Sequence, residues 1–177
     1  MLDRKGNVYL MGFMGCGKTK IGSLLAKRLD LPFLDTDTLI VEESGMTINA
    51  IFQSEGEAGF REREKRVIER LAKLDKVVVA LGGGAVVDPG NWKSISESGT
   101  TIALSYPPEI IATRLERKKN RPLLNPFSGE ERLQRIAALM EARSVFYRKA
   151  DLFLHLNQEV EPGRLAEALS GFLRAII

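Results

Sequence analysis

The chain has 177 residues, 44% of them hydrophobic and 28% charged, which suits one folded unit and excludes a disordered chain. Its 26 Lys and Arg against 23 Asp and Glu leave a net charge of +3, too small to argue by itself for a nucleic-acid partner. The single Cys excludes an internal disulfide and fits a reducing compartment, and the apolar runs stop well short of the ~20 residues of a membrane span.

The charged stretch from Met1 to Asn7 does not read as a signal peptide, so a cytoplasmic protein is expected. Strand-like and helix-like segments then alternate to the far end. Val8 to Met11, closed by Gly12, reads as a buried strand, and Ile21, Leu24, Leu25 and Leu29 follow at helical spacing. Leu31 to Leu34, Val77 to Leu81, Thr100 to Ser105 and Leu152 to Leu156 read as four more short strands. A helix is expected after Pro107-Pro108, because Pro suits a first turn. Another starts at Ser128, with Glu131 completing a capping box and Leu133, Ile136, Leu139 and Met140 forming its stripe. The last starts near Pro162 and carries Leu165, Leu169, Phe172 and Leu173. Five strands alternating with helices predict a three-layer α/β/α domain around a parallel sheet. Two stretches interrupt the rhythm: Thr38 to Leu74 is helical but longer than one crossover needs, and the polar Lys118 to Gly129 has the character of a lid.

Gly12-Phe13-Met14-Gly15-Cys16-Gly17-Lys18-Thr19 matches G-x-x-x-x-G-K-[ST] between a strand and a helix. Glycines let backbone N–H groups curl around phosphate oxygens, Lys18 brings a charge to the outer phosphates, and the Thr19 hydroxyl suits Mg²⁺. Cys16 reads as a small side chain filling a tight turn, against a redox switch favoured by a helix start. Asp35 and Asp37 flank Thr36 at the end of the second strand. One residue apart on an extended backbone, they point the same way and suit a shared metal and substrate. Either also suits an Asx turn or helix N-cap, Asp37 above all. Gly82-Gly83-Gly84 ends the third strand, where a ligand can approach the backbone or the chain simply turns. Ligands of open parallel sheets bind beyond the carboxyl ends of the strands, which is where all three motifs fall.

These motifs, with Phe60-Arg61-Glu62-Arg63-Glu64, Arg121-Pro122-Leu123-Leu124, Arg143 and Tyr147-Arg148, resemble the shikimate kinase family over essentially the whole chain. The resemblance implies transfer of phosphate from ATP, with Mg²⁺, to the shikimate 3-hydroxyl, on the way to chorismate and the aromatic amino acids. It implies a P-loop fold like that of nucleoside monophosphate kinases, with strand order 2-3-1-4-5, a helical substrate-binding insertion over about 36–64 and a lid over about 116–129, all within a single domain spanning 1–177. Gly15, Cys16, Gly17, Lys18, Thr19 and Lys20 would then hold the nucleotide phosphates, with Arg114 against adenine and Pro162 on its other side. Asp37 would orient the acceptor hydroxyl or take its proton. Asp35 would meet Mg²⁺ through water, beside Thr19. Arg61 and Arg143 would grip the substrate carboxylate, with Glu64 orienting Arg61, and Gly82, Gly83 and Gly84 would offer backbone to the ring. Arg121 would descend from the lid onto the transferring phosphate.

Without the resemblance, Arg61 and Arg143 read equally as surface residues of charged helices. His155 reads as structural and Trp92 as packing. Ala80 stands where some relatives carry a hydroxyl, and the third strand lacks the Asp of an ordinary second nucleotide motif. A kinase for another small hydroxy acid, such as gluconate, would share the phosphate loop but not necessarily the arginine pair. A nucleotide-dependent regulatory module is a further alternative, although the chain has no N-K-x-D guanine reader. A monomer is expected, from the resemblance and the lack of an apolar surface stripe.

Overall fold

Asn7–Gly12 (β1) is buried along its entire length, as a central strand covered on both faces must be. The computed structural model describes residues 6–116, 124 and 127–175. In chain order the remaining elements are α1 (Lys18–Leu29), β2 (Phe33–Asp35), α2 (Thr36–Ser44), α3 (Ile48–Leu71), β3 (Val78–Ala80), a 3-10 turn (Ala85–Val87) and α4 (Pro89–Ser98). They continue with β4 (Gly99–Ser105), α5 (Pro108–Leu115), α6 (Gly129–Tyr147), β5 (Leu152–His155) and α7 (Pro162–Leu173). The five strands form one parallel sheet in the order β2-β3-β1-β4-β5, the order that the resemblance implies. Val8, Leu10, Val78, Val79, Ile102 and Ala103 are sealed in its centre. Gly22 brings α1 tight against the sheet: a Cβ there would stand 2.6 Å from the Phe33 ring and 2.9 Å from Leu10. On the outside, α1 packs against α7.

Two local expectations need correcting. The second strand runs from Phe33 to Asp35 rather than from Leu31, because Leu31 N bonds back to Ala26 O and closes α1. The capping box at Ser128 does not form: Ser128 makes no side-chain cap bond. Gly129 takes a φ of +51°, which swings the first turn out of the geometry that a cap requires. Phe172 is 50% exposed, whereas Leu169 and Leu173 are buried, so the inward stripe of α7 is narrower than its apolar residues suggest.

The long stretch after β2 contains α2 and α3. Its second helix is broken at Gly56, whose backbone (φ 70°, ψ −174°) turns the chain sharply. Glu55 folds back across this kink onto Arg63, with both carboxylate oxygens engaged at 2.9 and 2.7 Å. Both sides of the break border the cleft described below, through Ile48, Asn49 and Phe52 before it and Phe60, Arg61 and Glu64 after it; further along, Val67, Ile68 and Leu71 are buried.

Candidate active site

A cleft of about 1310 Å³ opens at the carboxyl edge of the sheet. It is bordered by the turn after β1 and the start of α1, the end of β2, α2, α3 on both sides of Gly56, the turn after β3, and Arg143 of α6. Parallel sheets bind ligands at such an edge.

The turn after β1 curls because Gly12, Gly15 and Gly17 take φ values of 139°, 82° and 96°, a region that side chains rarely enter. At Gly12 a Cβ would also stand 2.3 Å from the Leu104 carbonyl oxygen. Gly17 caps α1 without any side-chain bond, so the first N–H groups of the helix are left for an anion. Lys18 Nζ donates to the carbonyls of Gly12 at 2.8 Å and Phe13 at 3.1 Å. The ammonium thus lies across the loop, where it can reach phosphates. Cys16 is buried against Phe13, Leu104 and Tyr147 around a small second cavity. It fills space, as the first of its two sequence readings has it. Lys20 lies at the cleft.

Thr19 Oγ1 donates to Asp35 Oδ2 at 2.7 Å. The other Asp35 oxygen accepts from the N–H groups of Asp37 at 3.0 Å and Thr38 at 3.3 Å, so Asp35, not Asp37, caps α2. The helix begins at Thr36, which removes the extended-strand reason for pairing the two carboxylates. Both nevertheless line the cleft, because Asp35 ends a strand and Asp37 stands in the first helical turn. Thr19 and Asp35 are hard oxygen donors side by side next to the phosphate loop, and they fit Mg²⁺. Among the described residues no three His, Cys, Asp or Glu gather to hold a metal ion. Mg²⁺ here would draw its remaining ligands from phosphate and water, as it does in kinases.

The acceptor side is built around the glycine triplet. Arg61 donates from Nη1 to Glu64 at 2.7 Å and from Nε and Nη2 to Glu57 at 3.3 and 3.0 Å. Its guanidinium lies directly over Gly84, where a Cβ would stand 2.6 Å from Nη2. A Cβ on Gly82 would meet Glu64 Oε1 at 2.6 Å and Asp37 Oδ1 at 3.0 Å. The glycines are therefore needed to make room for these side chains, a reason separate from any contact with a ligand. From α6, Arg143 donates to the Gly83 carbonyl at 3.3 Å and stands over the Phe13 ring, and Tyr147 donates to the same carbonyl at 2.5 Å. Thr36 accepts from Gly82 N at 2.8 Å and fixes the other end of the turn.

Glu64 is only 1% exposed, and its Oε1 has no hydrogen-bond partner among the described residues. Burial pushes its pKa above the ordinary value of 4.5, Arg61 pulls it back in part, and the Asp37 charge raises it further. Burial alone would lower the pKa of Arg61, but the Glu64 and Glu57 carboxylates outweigh it and hold the guanidinium firmly charged. Burial also raises the Tyr147 phenol, so the hydroxyl stays protonated and remains a donor. The Glu64 shift has a definite sign in stability. The folded chain binds a proton more tightly than the unfolded chain, so the charging penalty is absent below 4.5 and grows as pH rises to the folded pKa. Melting curves across that window should show the wild type losing stability relative to Glu64→Gln as pH rises. A pH-independent difference would mean that Glu64 titrates normally.

Lys18, Thr19, Lys20, Asp35, Asp37, Arg61, Gly82, Gly83, Gly84 and Arg143 therefore border one cleft, with Gly15 and Gly17. Cys16, Arg114 and Pro162 are not on its lining. Arg114 reaches the back of the phosphate loop through the Gly15 carbonyl, and Pro162 starts α7. Arg121 and most of the 116–129 stretch lie outside the described residues. Sequence reasoning gave no role to Glu57, Thr36 or Tyr147. The spacing of Glu57 four residues before Arg61 was a usable signal, whereas nothing local marks Thr36 or Tyr147 as supports for the glycine turn.

Comparison with known proteins agrees with this geometry. The family model described as shikimate kinase matches residues 14–174. A shikimate kinase from Caldicellulosiruptor bescii is 42% identical over 160 residues, which are 90% of each chain. One from Synechococcus sp. is 43% identical over 161 residues, 90% of this chain and 83% of its own. The solved shikimate kinase from Acinetobacter baumannii, in complex with shikimate, superposes with a TM-score of 0.89 at 36% identity, covering 98% of this chain and 95% of its own. A gluconokinase from Sinorhizobium meliloti shares the fold at a TM-score of 0.59 and 17% identity, covering 97% and 93%. A phosphate loop, a Thr19–Asp35 pair suited to Mg²⁺ and relatives spanning nearly the whole chain lead to one assignment: the chain belongs to the shikimate kinase family, kinases that use ATP with Mg²⁺.

Proposed function

We propose that the protein transfers the γ-phosphate of ATP to the 3-hydroxyl of shikimate, with the residues of the cleft in defined roles. The observation that carries this reading is the convergence of Asp37, the Arg61–Glu64 pair, Arg143 and the phosphate loop on one cleft. Two guanidinium groups over one glycine turn suit a carboxylate, because arginine binds carboxylates through paired N–H donors. Asp37 borders the same cavity, where it can accept the proton of a hydroxyl held by that grip. As the oxygen of the 3-hydroxyl forms its bond to the γ-phosphorus, the bond from that phosphorus to the β,γ-bridging oxygen breaks. ADP leaves, and the hydroxyl proton passes to Asp37. Lys18 and the N–H groups at the start of α1 hold the phosphates in line. Bound Mg²⁺ would offset charge on the β- and γ-phosphates, held by Thr19 directly and by Asp35 through water.

The single domain spanning 1–177 would carry the acceptor grip on its insertion at 36–64 and would close with the 116–129 stretch, bringing Arg121 to the phosphate and excluding water. Arg114 and Pro162 would flank the adenine. The protein would work as a monomer in the cytoplasm on small molecules alone. Among the described residues the exposed large apolar side chains, Leu74, Val87, Val145 and Phe172, lie in separate parts of the chain, and no described helix is long and apolar enough to cross a membrane. Release of ADP from MgATP tests the reading. Shikimate should stimulate it strongly, and gluconate and quinate should not. Stimulation by gluconate alone would replace the acceptor, and no stimulation by any of them would favour a regulatory module.

A further inference from the structure

Arg114 is held on three sides. Its Cζ lies 4.0 Å from the centroid of the buried Tyr106 ring. Its Nη1 donates to the Gly15 carbonyl at 3.0 Å. Its Nε donates to Glu159 Oε1 at 2.9 Å, and its Nη2 donates to Glu159 Oε2. Tyr106 follows β4, Gly15 belongs to the phosphate loop, and Glu159 lies between β5 and α7. One guanidinium thus ties three separate segments together.

A two-point pair of this kind fixes the rotation of the guanidinium plane, and the aromatic ring fixes its tilt. With one face on Tyr106 and one edge on Glu159, the exposed 23% of the side chain is a flat cationic surface beside the phosphate loop. An arginine left loose there would be drawn to a polyphosphate, since phosphate is a preferred two-point partner of arginine. The Glu159 carboxylate opposes that movement by occupying the edge that phosphate would use.

We propose that Glu159 is a positioning residue for the nucleotide base: it holds Arg114 against Tyr106 as a preset stacking platform and keeps it off the polyphosphate. The proposal rests on the reading that ATP is the phosphate donor with its base at Arg114. Its two consequences differ in sign for different probes. Loss of the Glu159 charge should weaken a ligand that carries a base and should spare or strengthen one that is only polyphosphate.

Isothermal titration with MgATP and with magnesium tripolyphosphate tests it on the wild type, Glu159→Gln, Arg114→Ala and the double variant. Glu159→Gln should weaken MgATP about three- to tenfold, the cost of ordering one long side chain on binding. Tripolyphosphate should bind unchanged or tighter. In the Arg114→Ala background the Glu159 change should add nothing, because it acts only through Arg114. Glu159 is exposed, so its variant should fold and melt as the wild type does. Unchanged or tighter MgATP binding in Glu159→Gln, equal losses for both probes, or additive losses in the double variant would each overturn the proposal. A wild type that binds no MgATP would instead overturn the kinase reading beneath it.

Discussion

Asp37→Asn should lower kcat by about two to four orders of magnitude, the usual worth of a well-placed general base, while the KM for MgATP stays nearly constant. Asparagine keeps the size of the side chain but cannot take a proton. The position lies in the first turn of α2 with its N–H on Asp35, so the backbone of the cap survives the change. Asp35 and Thr19 keep their own bond, which leaves the oxygen pair suited to Mg²⁺ undisturbed. Thermal melting should be little altered, which separates a chemical loss from a folding loss. Near-normal turnover would mean that the acceptor hydroxyl is activated elsewhere.

Arg143→Ala should raise the KM for shikimate by about one to two orders of magnitude, since a hydrogen bond to a charged group is worth about 1.5–3 kcal/mol, and it should leave the KM for MgATP alone. Arg143 donates to the backbone carbonyl of Gly83, whereas the ion-pair partner of Glu64 is Arg61, so removal of Arg143 bears chiefly on the acceptor. Arg61→Ala carries a second cost. It strands Glu64, which is 1% exposed, and an unpaired buried charge destabilises by about 3–5 kcal/mol. The raised pKa of Glu64 relieves part of this, because protonation removes the charge. The double variant Arg61→Ala, Glu64→Gln should therefore melt above Arg61→Ala alone while keeping the high KM for shikimate. Recovery of both stability and affinity in the double variant would mean that Arg61 serves the fold rather than the substrate.

The phosphate loop was legible from the sequence because its chemistry is local: glycines, Lys18 and Thr19 form one unbroken turn. The strand order was accessible only through the family resemblance, since periodicity says nothing of which strands are neighbours. Asp35 and Asp37 were found for a reason that fails in the structure. They share the cleft although the backbone turns helical at Thr36. The Gly82–Gly84 turn was expected to admit a ligand, yet its first measurable requirement is room for Arg61, Glu64 and Asp37, residues 18 or more positions away. Long-range packing of this kind leaves no mark in a local pattern. For the same reason the Arg114–Glu159 pair, 45 residues apart in the chain, was invisible in the sequence. The missed cap at Ser128 shows the reverse case, in which a good local motif is overruled by the left-handed backbone of Gly129.

The grip proposed for Arg61 and Arg143 fixes the acid so that one hydroxyl meets Asp37 and the phosphate loop. The most direct measurement is the position of the new phosphate ester, read by phosphorus–proton correlation in nuclear magnetic resonance of the product from shikimate and MgATP. Coupling of the phosphorus to the proton on carbon 3 alone is the expected result. Phosphate on carbon 4 or 5, or a mixture of esters, would contradict a carboxylate grip that presents a single hydroxyl.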